Sequence, residues 1–297
     1  MIRINSITLL SVILFLFSAL AGTAQDLIPT TRVSKGKLIA PELNEVSGVI
    51  ASDANPGSFW MHNDSGDKAR IFLVDSSANL LQIVNLEGVI AIDMEEIGKF
   101  KRDGKNYLVL GDIGDNRGLR KDIRLYILEE PVWEQGGKKE NLIKSSQIQT
   151  IILNHDGRAR DAEAFFIDPL DNRFYLISKR EFKSIVYSTD IFQDVEKHIL
   201  KPLITLPFTF VTAADISPAG DAILIKNLTN IYYWNRALNE SIQHSLSKRY
   251  KRLDYQQEPQ GEAITFDNSG KTFFTVSERP FGLDSYLYQY NFSKPQN

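Results

Sequence analysis

Two short acidic segments carry the clearest chemistry in this chain. Asp64-Ser65-Gly66-Asp67 and Asp112-Ile113-Gly114-Asp115 repeat an Asp-x-Gly-Asp pattern 48 residues apart, each after an apolar, β-rich run. Carboxylates crowded with amides are hard oxygen donors, of which Ca²⁺ takes about six to eight and Mg²⁺ about six. The candidate metal ligands are therefore Asn63, Asp64, Asp67, Asp112, Asp115 and Asn116, and the expected cofactor is Ca²⁺ or Mg²⁺. The same tetrapeptide is also good turn sequence, because Asp bonds its own backbone and Gly accepts positive φ. The residues alone leave both readings open.

A second polar group stands at the starts of apolar runs. Glu95, Glu163 and Glu262 are the candidate catalytic carboxylates, and Lys179, Arg180, Lys226 and Arg279 the candidate ligand-binding cations. Guanidinium groups recognise carboxylate or phosphate through paired hydrogen bonds. A cation on one side and arginines on the other would suit a phosphoester or an anionic sugar, with the metal polarising the ester or activating water. The plainer alternative is that these charges neutralise one another around a wet channel. His62, His155, His198 and His244 lack paired zinc spacing. No Gly-x-Ser-x-Gly elbow, P-loop or dinucleotide fingerprint occurs, and the absence of cysteine excludes thiol chemistry.

The elements that must hold these residues are short. Runs of four to eight aromatic and β-branched residues alternate with Gly, Asp, Asn and Pro, and no long stretch has helical periodicity. Five units superpose, starting at Ser47, Glu95, Glu163, Thr212 and Glu262, with spacings of 48, 68, 49 and 50 residues. Units of about 40–50 residues with four strands mark β-propeller blades. The predicted fold is therefore an all-β propeller of five four-stranded blades, or six if the long second unit holds another. Its excess, residues 115–121 and 132–146, reads as loops. An N-terminal strand near residues 32–39 should complete the last sheet and close the ring. A β-sandwich with fortuitous spacing is the alternative. In a propeller, each unit start and each second-strand end border one channel mouth. Asp64, Asp112, Arg180, Thr229 and Arg279, each 17 residues past a start, would then be ring equivalents.

The chain opens with a basic residue, an apolar stretch at 7–20 and small residues before position 25, which reads as a signal peptide over 1–24. Residues 25–297 form the predicted propeller domain, exported to a periplasm or secreted, with no later membrane span. A net charge of −3 argues against nucleic acid as a partner. A monomer is expected.

The strings Val46-Ser47-Gly48, Trp60-Met61-His62-Asn63-Asp64-Ser65-Gly66-Asp67, Gly111-Asp112-Ile113-Gly114-Asp115-Asn116 and Asp161-Ala162-Glu163-Ala164 resemble exported bacterial β-propeller proteins. These are related in style to the phytase-like and gluconolactonase-like propellers. The resemblance implies divalent cations near the channel and hydrolysis of phosphoesters or lactones. The lactonase type uses one Glu with Asn and Asp ligands, parts that Asn63, Asn227 and the glutamates would play here. The expected function is metal-assisted hydrolysis of a small anionic ester. The alternative is a non-catalytic propeller binding a glycan, peptide or envelope protein.

Overall fold

The computed structural model describes residues 27–293. The signal peptide expected at 1–24 lies outside the described residues. Almost everything described is strand. β1 (Leu27–Ile28) and β2 (Thr30–Lys37) lead to β3 (Val46–Ala51), β4 (Ser58–Asn63), β5 (Arg70–Asp75) and β6 (Leu80–Leu86). Next come β7 (Met94–Arg102), β8 (Lys105–Asp112), β9 (Ile123–Glu129), β10 (Glu140–Ile143) and β11 (Ile148–His155). β12 (Ala162–Ile167), β13 (Phe174–Ser178), β14 (Ile185–Thr189) and β15 (His198–Thr205) follow. After them stand β16 (Val211–Ile216), β17 (Ala222–Asn227), β18 (Ile231–Asn235), a short helix α1 (Ile242–Ser247) and β19 (Lys251–Leu253). β20 (Gly261–Phe266), β21 (Thr272–Ser277) and β22 (Tyr286–Phe292) end the chain.

Hydrogen bonding groups these strands into four sheets, ordered β1-β19-β18-β17-β16, β10-β6-β5-β4-β3, β12-β13-β14-β15-β11-β9-β8-β7 and β2-β22-β21-β20. The eight-stranded sheet joins two of the expected units, because the outer strands β11 and β15 pair in parallel at Leu153–His155. β2 pairs antiparallel with β22, so an N-terminal strand does complete the last sheet. Part of the region expected as loop folds differently. β10, from the second unit's insertion, adds in parallel to β6 of the first unit and covers that edge.

The innermost strands β3, β12, β16 and β20 are buried at every position, as strands covered on both faces must be. They and β7 pack side by side in a cycle: β3 on β7, β7 on β12, β12 on β16, β16 on β20, and β20 back on β3. The core correspondingly divides into five apolar layers, one between each pair of neighbouring strand sets. Phe59 meets Phe274 with ring centroids 4.5 Å apart, tying first set to last. Phe273 stacks on Tyr290 at 4.8 Å. Each buried Phe, Leu or Ile contributes roughly 1.5–3 kcal/mol. With no cysteine in the chain, these layers stand without disulfides.

Candidate functional site

The five predicted unit starts share one local structure. In each inner strand the pairing to its hairpin partner skips a single residue: Ser47, Glu95, Glu163, Thr212 and Glu262. An extra residue of this kind bends its strand and re-aims the side chain. Two of the five are neutral and tie neighbouring strands together. Ser47 Oγ donates to the Glu95 carbonyl at 3.2 Å, and Thr212 Oγ1 to the Gly261 carbonyl at 3.1 Å. The other three are glutamates, all buried at one end of the channel.

Beside Glu95 the structure gathers Asp64 and Asp93, so that one carboxylate oxygen from each of the three lies within 4.8 Å of the others. Burial first, then the neighbouring Glu163, Asp64 and Asp93, push the Glu95 carboxyl well above its ordinary range. Burial likewise raises Asp93, helped by Asp64 and Asp161. Glu163 is pushed up to about 8 by burial, against the pull of Lys179. Glu278 also reaches about 8, through burial and the charges of Glu262 and Asp64. Lys179 forms an ion pair with Glu163. Burial works against its charge, but Glu163, Glu262 and Glu95 outweigh that and raise its pKa. This lysine interacts with four carboxylates, Glu95, Glu163, Glu262 and Glu278.

The two Asp-x-Gly-Asp segments do different work. In the second, both oxygens of the fully buried Asp112 are gripped by Arg120, at 3.0 and 2.8 Å, and Oδ1 also accepts the Asp93 N–H at 2.8 Å. Asp115 caps a turn by accepting the N–H groups of Leu119 and Arg120 at 2.9 and 2.8 Å. Gly114 is required by close approach, since a Cβ there would fall 2.6 Å from Glu95 Oε1 and nearer still to Asp93. In the first copy, Gly66 instead takes φ +93 in open space, a turn conformation that L side chains rarely adopt. Asp67 there pairs with Arg70 at 2.8 Å and accepts from Asn63 Nδ2 at 2.8 Å. Of the expected metal set, only Asp64 enters the carboxylate triad. Asn116 donates to Asp93 at 3.3 Å, and Asn63 retains a buried Oδ1 with no hydrogen-bond partner.

The ring equivalence read from a constant offset of 17 residues does not hold. Strand register pairs Val46 with Asn63, Met94 with Asp112, Ala162 with Ser178, Val211 with Asn227, and Gly261 with Ser277. The residues after these, Asp64, Lys179 and Glu278, give equivalent N–H bonds to Glu45, Asp161 and Gln260 at 2.8, 3.0 and 3.0 Å. The hairpin turns differ in length, so counting placed Arg180 and Arg279 one step too far. Arg180 pairs with Asp161 at 2.5 Å and also donates to Asn116. Arg279 keeps Nε and Nη2 without partners. Lys226 is wholly buried; it donates to the carbonyls of Gly261 and Asn227 and lies 5.1 Å from the Tyr255 ring centroid. Burial depresses its pKa. Its ammonium is thereby engaged inside the fold, as cross-strand support rather than as a group facing the mouth.

Glu278 belongs to the mouth and was not in the expected set of site residues. The signal for Glu278 was a shorter hairpin count in the last unit. His62 is buried against Gly48 and held below its ordinary pKa by burial, and His155 is depressed to about 4. Neutral imidazoles packed this way are part of the core. Trp133 packs on the apolar layer between the first two strand sets. Around the mouth stand bare aromatics. Phe182 is 92% and Phe281 103% exposed, on the loops that follow β13 and β21.

No protein-family model matches the chain, and no curated protein matches it. Among solved structures, a chain in the crystal structure of a nidogen/laminin complex is similar, with TM-score 0.50 and 11% identity over 81% of this chain and 74% of that one. An auxiliary nutrient binding protein from Bacteroides thetaiotaomicron gives TM-score 0.46 and 10% identity over 85% of this chain and 70% of that one. At such identities the likeness to the first concerns the fold alone, which is all-β and propeller-like. The phytase-like and gluconolactonase-like parts of the resemblance gain no family match. Among the described residues, no helix is long and apolar enough to cross a membrane.

Proposed function

We propose that this chain is a five-bladed propeller, exported to a periplasm or secreted, that binds a divalent cation at its acidic channel mouth through Asp64, Asp93 and Glu95. The observation that carries this reading is their oxygen geometry. A Ca²⁺ ion sits about 2.3–2.6 Å from each oxygen, so ligands on opposite sides of it lie about 5 Å apart. The three carboxylates fall within 4.8 Å of one another. Their charge also calls for a counter-ion, because the Lys179 ammonium is paired with Glu163 and the Arg120 guanidinium with Asp112. The protein then acts as a binding protein, with the cation presenting open coordination positions to an oxygen-rich small ligand.

Hydrolysis of a phosphoester or lactone is the catalytic form of the same reading and draws less support. Of the cations expected to hold an anion, Lys226 is buried and Arg180 is paired with Asp161. A non-catalytic role with a glycan or peptide draws on a separate observation, the bare Phe182 and Phe281 at the rim. Aromatic residues, Phe among them, are enriched at binding interfaces.

The test is a melting curve on the mature protein titrated with Ca²⁺ or Mg²⁺. A bound ion stabilises the fold by about 2.7 kcal/mol at a hundred-fold excess over Kd. The melting temperature should rise for the wild type and stay flat for Asp93→Asn with Glu95→Gln. A wild-type curve indifferent to millimolar cation would end the reading. A panel of phosphoesters and lactones, run with and without cation, separates catalysis from binding.

A further inference from the structure

The opposite end of the channel is chemically unlike the acidic mouth. It opens into a cavity of about 490 Å³, within the roughly 300–1,000 Å³ of small-molecule sites. The far ends of β7, β12, β16 and β20 line it with Ile97, Phe100, Phe165, Ile167, Ile216 and Phe266. Glu96 is buried against two residues that line this cavity, Ile97 and Ala214. Its Oε1 accepts the N–H of Ile97 at 3.0 Å, and its Oε2 that of Ala214 at 3.3 Å, joining β7 to β16 across β12.

The polar groups here decide the ligand's chemistry by what they have left to offer. Lys99 has three N–H donors, and three acceptors take them: the Ala51 carbonyl at 2.8 Å, Asp53 Oδ1 at 2.8 Å and Asn268 Oδ1 at 2.6 Å. An anion would find that ammonium spent, and the other lining lysine, Lys101, is shared with Asp53 Oδ2 at 3.4 Å. Asp215 is different. It lines the cavity and is 9% exposed, with Oδ2 accepting from Phe266 N at 2.7 Å and Thr265 Oγ1 at 3.1 Å. Among the described residues, its Oδ1 accepts only from Ile216 N, at 2.8 Å. An ionised carboxylate has about four lone-pair sites, so Oδ1 keeps one for a donor. Phenylalanines supply apolar walls and the ring faces that favour an aromatic body.

We propose that this far cavity binds a small aromatic molecule bearing a hydrogen-bond donor, a hydroxyl or an amine, which donates to Asp215 Oδ1. The aromatic body lies among Phe100, Phe165 and Phe266. A carboxylate in place of the donor meets Asp215 as a like charge and is rejected. The site stands independently of the cation at the other mouth.

The experiment titrates the mature protein by calorimetry with 2-naphthol, 2-naphthylmethylamine and 2-naphthoate, the three sharing one ring system. The naphthol or the amine should bind at least about ten-fold more tightly than the naphthoate, a difference of about 1.4 kcal/mol. Pro169 and Pro218 line the cavity with exposed side chains. Pro169→Trp and Pro218→Trp should fill the entrance and weaken that binding at least about ten-fold, with melting temperature unchanged. Asp215→Asn should lower affinity for the donor probes selectively; should that variant melt early, the rim variants still decide. The proposal is overturned if no probe binds below millimolar concentration, if naphthoate binds as well as naphthol, or if the rim variants bind like wild type. Added Ca²⁺ or Mg²⁺ should leave the affinity unchanged.

Discussion

The two ends of the channel are made from the same strands and treat their polar residues in opposite ways. At the far end, carboxylates are consumed by regular turns. Asp75 accepts the N–H groups of Ser77 and Asn79, Asp168 that of Leu170, and Asp267 those of Lys271 and Thr272. At the near end, the skipped residues Glu95, Glu163 and Glu262 crowd together with Asp64, Asp93 and Glu278. Regular hairpins satisfy their own carboxylates, whereas irregular pairing aims carboxylates at one another. That crowding costs stability wherever these carboxyls ionise together. The far end is the more ordinary piece of protein, with most turn carboxylates bonded to local N–H groups, Asp168 Oδ2 being an exception, and an apolar hollow left over.

The comparison breaks first if the far end proves tolerant of a lost carboxylate. Glu130 is buried and accepts from Ser52 Oγ, the N–H groups of Asp53 and Ala54, and Trp60 Nε1. Glu130→Ala leaves these four donors without their acceptor. It should cost about 3 kcal/mol or more in urea unfolding, since each orphaned buried group costs about 1–3. Glu130→Gln should recover part of that loss. A cost below about 1 kcal/mol would show that this network is not what fixes the far-end turn.

The near end should answer to pH instead. Glu163 and Glu278 have folded-state values of about 8, above the ordinary 4.5. The native state then holds protons that the unfolded chain has released, so stability falls as pH rises through that window. Wild-type melting should drop by a few degrees between about pH 5 and pH 9, on a scale of about 2–4 °C per kcal/mol. Glu163→Gln with Glu278→Gln should flatten the profile, and saturating Ca²⁺ should raise the alkaline end. A profile that rises with pH in the wild type, or survives both substitutions, would place the titrating groups elsewhere.

How much of this was legible before the structure depends on the kind of signal. The five unit starts were read from apolar runs and turn residues, and each coincides with a skipped residue in an inner strand. Local pattern sufficed there because a short strand buried on both faces reads as an apolar run wherever it occurs. The site was harder. A fixed count across a hairpin fails when turns differ by a residue, which made Arg180 and Arg279 look equivalent to Asp64 where Lys179 and Glu278 are. Asp112 and Asp64 head tetrapeptides of one Asp-x-Gly-Asp pattern, yet it is a partner outside the motif, Arg120, that pairs with Asp112. The strand β10 was read as loop because its apolar neighbours belong to another unit. Periodicity reports burial, whereas charge pairing depends on which loops meet.

The smallest expected effect on stability lies at the rim of the near mouth. Phe182 and Phe281 occupy comparable loops, four residues after Ser178 and Ser277, and lie almost wholly in water. Phe281 also holds a left-handed backbone, φ 57, which a bulky side chain seldom adopts. Side chains that bury nothing stabilise nothing, so Phe182→Ala and Phe281→Ala should shift melting by no more than about 2 °C. Their value must then be sought in contacts made to another molecule. Glycan or peptide binding at the acidic mouth, read from an array of immobilised ligands, should weaken in both variants while the cation response stays intact. A melting loss of more than about 5 °C would instead assign the two rings to the fold, and the contrast between a largely matched far end and an open near end would lose its aromatic half.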